Sequence, residues 1–181
     1  MMRKSIILAI ALASITSLPA STLQQLSLND MIQKSTMIVR GTIQPGTSAA
    51  FRGSIIYTHY ELSVATVFKG TPGPVIDLAV PGGVLNGIQQ PVAGAPILFP
   101  LQDYVFFLWT SKSGLTQVIG LSQGLFNVTT SAQGQAIVSR GAANQPMVGS
   151  SGQPVTDSNL QMPLSQLASQ IRTVLAGGSG Q

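Results

Sequence analysis

Few side chains in this 181-residue chain are suited to acid–base, nucleophilic or metal chemistry, since it has no cysteine, one histidine and five carboxylates. His59 and Glu61 lie two residues apart in a predicted strand, so they share one face, where an imidazole beside a carboxylate binds metals or moves protons. A catalytic zinc site takes about three protein ligands, which leaves this pair incomplete. We therefore interpret His59 as part of a solvated strand face and predict no catalytic residue, metal or cofactor.

A second candidate for chemistry is Ser122, which stands in the sequence Gly-Leu-Ser-Gln-Gly at 120–124. This spacing is that of a nucleophile elbow, in which a strand-to-helix turn exposes a serine ahead of its histidine in the chain. Here residues 125–129 have the composition of a strand, and His59 precedes the serine. The pattern is more typical of a turn, and a small secreted hydrolase is kept only as the second alternative function.

The overall composition excludes further classes of function. Charged residues make up 8% of the chain, against about 25% in an average soluble protein, and Gln, Ser and Thr supply the polar surface instead. The basic residues are scattered singly, whereas a nucleic-acid interface needs a basic stripe. No phosphate-binding glycine motif occurs. Neither a nucleic-acid partner nor nucleotide chemistry is predicted.

The first twenty residues have the pattern of a secretory signal peptide. A basic tip at residues 1–4 precedes an apolar run at 6–18 and a small residue, Ala20. The run is shorter than the roughly 20 residues of a membrane span. We predict cleavage after Ala20 and a secreted or periplasmic protein without a membrane span, whose net charge falls from +4 to +2 with the loss of two basic residues.

Hydrophobic periodicity predicts a mostly β protein. Residues 55–68 alternate with a period of two, as in a long half-buried strand, and residues 104–109 are apolar throughout, as in a strand buried on both faces. A capping pattern at Ser27 starts a short helix. The remaining strands are predicted at 37–43, 75–80, 115–120, 125–129 and 135–140. Short strands without a βαβ rhythm indicate a small, mostly antiparallel barrel or sandwich.

The domain boundaries follow from composition. Residues 21–140 form the predicted β domain, and residues 141–158, rich in Gly, Ser, Gln and Pro, form a flexible connector. A C-terminal amphipathic helix follows at 159–176, capped by residues 156–158, and a disordered tail covers 177–181.

One long connection, residues 81–101, is hereafter called the excursion. Its glycines expose backbone, its prolines limit the entropy lost on binding, and its apolar content exceeds that of a simple linker. Two interpretations remain open: a contact surface for a partner, or a loop that closes one end of the barrel core. The candidate partner-binding residues of the excursion are Pro81, Gly82, Gly83 and Asn86.

The order of these segments resembles a known family. A helix leading into residues 35–43, then the alternating strand ending in Phe68-Lys69-Gly70, then residues 75–80, is similar to tissue inhibitors of metalloproteinases, to netrin-like domains, and to secreted bacterial proteins of that kind. The resemblance covers about residues 26–129 and implies an OB-fold barrel. In the animal inhibitors a first-residue cysteine chelates the protease zinc, whereas here the predicted mature chain begins Ser21-Thr22.

These observations together predict a secreted, non-catalytic binding module that recognises a protein or a cell-envelope component. The excursion is its expected contact surface. The alternative implied by the resemblance is an inhibitor of a secreted metalloprotease, in which Ser21 and Thr22 would carry the contact. The predicted fold is mostly β: a small antiparallel OB-like barrel with a short N-terminal helix and a C-terminal amphipathic helix.

Overall fold

A computed structural model describes residues 22–178 of the chain. The predicted signal peptide and its cleavage site, the candidate residue Ser21, and most of the predicted tail (residues 179–181) lie outside the described residues.

The described residues form mostly strands, with two α-helices. The helices are α1 (Leu28–Lys34) and α2 (Leu164–Gly177), and a short 3-10 helix spans Leu121–Gly124. The strands are β1 (Leu23–Gln24), β2 (Met37–Arg52), β3 (Ile55–Lys69), β4 (Val75–Pro81), β5 (Gly83–Leu85), β6 (Ile88–Gln90), β7 (Asp103–Thr110), β8 (Thr116–Val118), β9 (Leu125–Thr130), β10 (Ala136–Arg140), β11 (Met147–Val148), β12 (Pro154–Val155) and β13 (Leu160–Pro163).

Five strands close into a barrel. The hydrogen-bonded order is β7-β2-β3-β4-β8, and β8 pairs back with β7. All these pairs are antiparallel except β4 with β8, which meet in parallel at Leu78 and Thr116. Closure with one parallel pair between the third and last barrel strands is the strand order of an OB-fold, which confirms the predicted fold class. The sheet continues beyond β7 through β9 and β10 to β13.

The longest structural feature is the β2–β3 hairpin, in which β2 continues past Thr42, the last residue that pairs with β7. The sequence predicts a strand at 37–43 that ends at Ile43. That interpretation was wrong, because β2 crosses a bulge between Ile43 and Thr47 and stays paired with β3 as far as Arg52. Gly46, with φ of 100°, accommodates the bulge.

Two hydrophobic clusters lie on the two sides of this sheet. The barrel interior is filled by side chains that include Leu62, Leu78, Tyr104 and Phe106. The second cluster packs α1 and α2 against the outside of β7, β9 and β10, through residues that include Phe107. Successive residues of β7 point alternately into the two clusters, so the strand is buried on both faces. This burial explains why its sequence is apolar throughout.

The segment after residue 140 differs from the sequence-based prediction. The expected flexible connector at 141–158 contains β11 and β12, and β11 pairs in parallel with β1. The expected helix at 159–176 starts only at Leu164, because residues 160–163 pair with the edge of β10 as β13. Asp157, expected to cap that helix, instead forms a buried ion pair with Arg140. Long-range pairing outweighed local propensity at each of these positions.

Candidate functional site

The first half of the excursion is an ordered β-hairpin rather than an open loop. Strands β5 and β6 pair antiparallel, and Asn86 and Gly87 form their two-residue turn with φ of 52° and 78°. Both residues are left-handed, as a type I′ hairpin turn requires, and Asn-Gly is the sequence that tolerates it best. Asn86 therefore lies exposed at a rigid tip. The Asn-Gly dipeptide between apolar residues was the signal that sequence analysis missed.

The hairpin is held against the start of β3 by main-chain and side-chain hydrogen bonds. The Gly82 N–H donates to the Ile56 carbonyl at 2.7 Å, and the Thr58 hydroxyl donates to the Gly82 carbonyl at 2.8 Å. The Gln90 side chain accepts from the Ile56 N–H at 2.6 Å and donates to the Ser54 carbonyl at 3.1 Å. These bonds fix the excursion at both ends of the hairpin.

Gly83 is required where the hairpin crosses β3. A Cβ at this position would lie 2.3 Å from the Thr58 hydroxyl oxygen, and φ is 139°. Both the close approach and the backbone conformation exclude a side chain. The predicted site residue Gly83 thus has a structural role in seating the hairpin.

The second half of the excursion runs across the end of the barrel. Leu98 is buried in the barrel core, while the neighbouring Ile97 and Phe99 are 74% and 58% exposed. The Phe99 N–H donates to the Tyr104 hydroxyl at 3.0 Å, and the Leu101 N–H donates to the Ile43 carbonyl at 2.8 Å. Both interpretations of the excursion therefore apply in part: Leu98 closes the core, and its neighbours face outward.

A surface cleft of about 630 Å³ lies between the excursion and the segment before β11. Pro81, Gly82 and Gly83 line one side, and Gln145 is among the residues on the other. Tyr60 also lines this cleft, and burial raises the pKa of its phenol, so the hydroxyl stays protonated and able to donate. We call this the excursion cleft.

The chain enters the described structure beside the excursion cleft. In the β1–β11 pair the Leu23 N–H donates to the Pro146 carbonyl at 3.1 Å, and the Gln25 N–H donates to the Val148 carbonyl at 2.9 Å. Pro146 directly follows Gln145, which lines the cleft. The predicted site residue Thr22 therefore precedes an anchored strand at the cleft margin.

The side chain of Gln123 also holds the β1 segment in place. Its side chain is fully buried; its oxygen accepts from the Leu26 N–H at 2.8 Å, and its nitrogen donates to the Gln24 carbonyl at 3.0 Å. The amide thus satisfies one donor and one acceptor of the incoming chain. Nothing in the local sequence pattern distinguishes this glutamine from the other sixteen.

The other wall of the cleft depends on a buried ion pair. Arg140 and Asp157 have side chains 5% and 3% exposed, with Nη1 and Oδ2 2.6 Å apart, and the Ala143 N–H donates to the same Oδ2 at 2.9 Å. Burial alone raises the pKa of Asp157, but hydrogen bonds from Arg140 and from the Ala143 and Ser158 N–H groups outweigh it and lower the pKa to about 2. This carboxylate therefore holds Ala143, one of the residues of that wall, in place.

His59 belongs to a different surface. Its Nδ1 lies 2.8 Å from Oδ1 of Asp77 on β4. The sequence had instead suggested Glu61 as the carboxylate beside the imidazole. Asp77 is 72% exposed, and the pair lies in a cleft of about 470 Å³ beside the β2 bulge. Within residues 22–178 no group of three or more His, Asp or Glu side chains is arranged to hold a metal.

Ser122 lies in the 3-10 turn before β9, and its N–H donates to the Gly94 carbonyl at 3.1 Å. The residue lines the excursion cleft, but His59 does not. The turn leads directly into a strand, as the sequence predicted. The strand–turn–helix geometry of a nucleophile elbow does not occur here.

The structure thus brings three predicted site residues, Pro81, Gly82 and Gly83, to one cleft, and places Asn86 at the hairpin tip. Thr22 lies at the cleft margin by way of β1. Sequence reasoning missed Gln145, because its segment was read as a connector, and Gln123, because its partners lie about 100 residues away.

Comparisons with known proteins add no relative: no family model, no curated protein and no solved structure matches the chain. Among the described residues, no helix is both long and apolar enough to cross a membrane.

Proposed function

We propose that this protein is a secreted, non-catalytic binding module that contacts a protein or cell-envelope component through the excursion. One observation carries the proposal. Of the ten large apolar side chains that are exposed in the described residues, five belong to the 21-residue excursion: Val84, Ile88, Ile97, Phe99 and Leu101. Scattered apolar residues are normal on a surface, but a concentration on one segment is typical of an interaction site.

The rigidity of the excursion supports the same function. The hairpin is hydrogen-bonded to β3, and Leu98 anchors the second half in the core. A surface already ordered before binding loses little conformational entropy when it meets a partner. The excursion also contains no charged residue or histidine, so it offers no group for general acid–base catalysis.

The test is capture of the natural partner at a defined position. A photo-crosslinking residue replaces Asn86 at the hairpin tip, and a matched control replaces Gln133, which is exposed in the turn between β9 and β10. Envelope and culture fractions are then irradiated with each protein. We expect a discrete crosslinked species from position 86 only, and its loss when Val84→Ser and Ile88→Ser are added.

Point substitutions are preferable to replacing the whole excursion, because replacement would also remove Leu98 from the core. Equal crosslinking from positions 86 and 133, or capture that survives both serine substitutions, would contradict the proposal. The melting temperature of each variant is measured alongside, so that loss of capture is separated from loss of fold.

A second candidate, inhibition of a secreted metalloprotease, is favoured by the anchored N-terminal strand. Leu23 is bonded to Pro146, and Gln123 holds the next residues, so a chain cleaved after Ala20 would begin two residues before a fixed strand at the cleft margin. Backbone pairing and a buried amide would then do what disulfides do in the inhibitors that the sequence resembles. A catalytic zinc keeps an open coordination position that an amine can occupy.

This candidate predicts that the chain beginning at Ser21 inhibits a secreted zinc protease and that adding one residue before Ser21 abolishes inhibition. The extended chain serves as its own matched control, since the barrel is unchanged. Equal inhibition by both chains would remove the amine from consideration, and no inhibition by either would remove the candidate.

A further inference from the structure

Residues 96–101, the end of the excursion, combine exposed apolar side chains with a backbone that is partly hydrogen-bonded within the protein; we call them the wedge. Ile97, Phe99 and Leu101 are 74%, 58% and 70% exposed, while Leu98 between them is buried in the barrel. The wedge therefore exposes three apolar side chains on either side of one that is anchored in the core.

Part of the wedge backbone is hydrogen-bonded within the protein or has no donor. Pro96 and Pro100 have no N–H, the Phe99 N–H donates to the Tyr104 hydroxyl, and the Leu101 N–H donates to the Ile43 carbonyl. An unsatisfied backbone group costs several kcal/mol in hydrocarbon, so loops rarely enter lipid. The wedge avoids part of that cost, because two of its six residues have no N–H and two others donate theirs within the protein.

The excursion is uncharged, and the carboxylate that follows it is paired with an arginine. Residues 81–101 carry no charge, and Asp103, which follows closely, has its carboxylate bonded to the Arg40 guanidinium at 2.6 and 2.9 Å. The excursion also lacks Tyr, Trp and Arg, the residues that dominate binding energy at protein interfaces. Aliphatic and phenyl side chains without charge are complementary to acyl chains.

From these observations we infer that the wedge inserts into the surface of a lipid bilayer, with Ile97, Phe99 and Leu101 reaching the boundary between headgroups and acyl chains. The inference rests on the proposed function, since it assigns a ligand class to the same excursion. The bilayer is the occupant; the rest of the barrel stays in water. Insertion of apolar side chains alone makes the binding insensitive to salt, because no counterions are released.

The test is flotation of the exported, processed protein with phosphatidylcholine–phosphatidylethanolamine vesicles, the amino terminus of every sample being verified by mass spectrometry. We expect the protein to float with vesicles equally at low and high salt. Each of Ile97→Ser, Phe99→Ser and Leu101→Ser should lower the partition coefficient about tenfold. Val67→Ser and Val75→Ser, at residues 46% and 54% exposed elsewhere, are the matched controls and should change it less than about twofold.

A second measurement distinguishes insertion of the wedge into the bilayer from adsorption to its surface. It does not depend on whether the serine variants fold. In a Trp109→Phe background, a single tryptophan is placed by Phe99→Trp or, as the control, by Val75→Trp. Brominated acyl chains should quench only the first. Absence of flotation, equal loss with the control substitutions, or equal quenching at both positions would overturn the inference.

The outcomes also distinguish this inference from the function on which it rests. If vesicles do not bind but position 86 crosslinks a protein, lipid insertion is wrong and the binding module stands. If neither occurs, both are wrong.

Discussion

Replacing Asp157 by asparagine should destabilise the protein more than any substitution of a surface charge. The change keeps the size of the side chain and removes its charge, which leaves the Arg140 guanidinium, 5% exposed, without an anionic partner. Breaking a buried ion pair from one side costs about 3–5 kcal/mol. That is a large fraction of the roughly 5–15 kcal/mol by which domains of this kind are stable.

The assay is urea unfolding followed by the fluorescence of Trp109, the only tryptophan of the chain. Asp103→Asn is the matched control, since Asp103 also pairs with an arginine but at a partly exposed site, with side chains 33% and 30% exposed. The control should cost about 1 kcal/mol or less. A loss below about 1 kcal/mol for Asp157→Asn as well would refute the claim that this buried pair organises the cleft wall.

The same ion pair predicts a dependence on pH. The pKa of Asp157 is lowered from its ordinary 3.8 to about 2, so the folded state binds the proton less readily than the unfolded state. The resulting stabilisation is fully present above about pH 4 and is lost as the pH falls towards 2, by about 2 kcal/mol. Asp157→Asn should remove this part of the acid sensitivity. Identical acid slopes for the two proteins would contradict the assignment.

Three other substitutions test the remaining structural assignments. Gln123→Leu should cost about 2–3 kcal/mol and speed amide exchange at Leu26, because a buried donor and acceptor lose their partner; unchanged exchange would show that Gln123 does not anchor the chain. His59→Ala should change the unfolding free energy by less than about 1 kcal/mol, since its carboxylate partner is largely solvated. A larger loss would mean that the contact between His59 and Asp77 stabilises the fold. Leu101→Asn should stabilise by about 0.5–1 kcal/mol by relieving a left-handed φ of 62°, and a loss of stability would indicate that Leu101 packs in solution.

The predicted strands were mostly correct where the signal was local. The alternation over residues 55–68 and the apolar run at 104–109 correspond to β3 and β7, because burial on one or both faces leaves a direct mark on the sequence. The capping box at Ser27 is present, with its hydroxyl accepting from the Asp30 N–H at 3.0 Å. Each of these features depends on residues within a few positions of one another.

The candidate site was predicted in part. Pro81, Gly82 and Gly83 were selected because a long connection rich in Gly and Pro is typical of functional loops, and they do line the excursion cleft. The opposite wall was not predicted, because Ala143 in that wall is held by Asp157, which the local sequence assigned to a helix cap. A carboxylate near a predicted helix start can either cap that helix or form a buried ion pair. Its neighbours in the chain do not show which of the two occurs.

The sequence by itself determined the low charge, the absence of cysteine, the strand periodicity and the position of the excursion, since composition and short-range pattern are sufficient for these. Only the tertiary structure decided that β1 pairs with β11, that residues 160–163 extend the sheet, and that Gln123 anchors the incoming chain. These contacts join residues that are far apart along the chain. Each contact satisfies the hydrogen-bonding groups of an open strand edge or of a buried polar side chain. These groups need partners only once the barrel has formed and removed them from water.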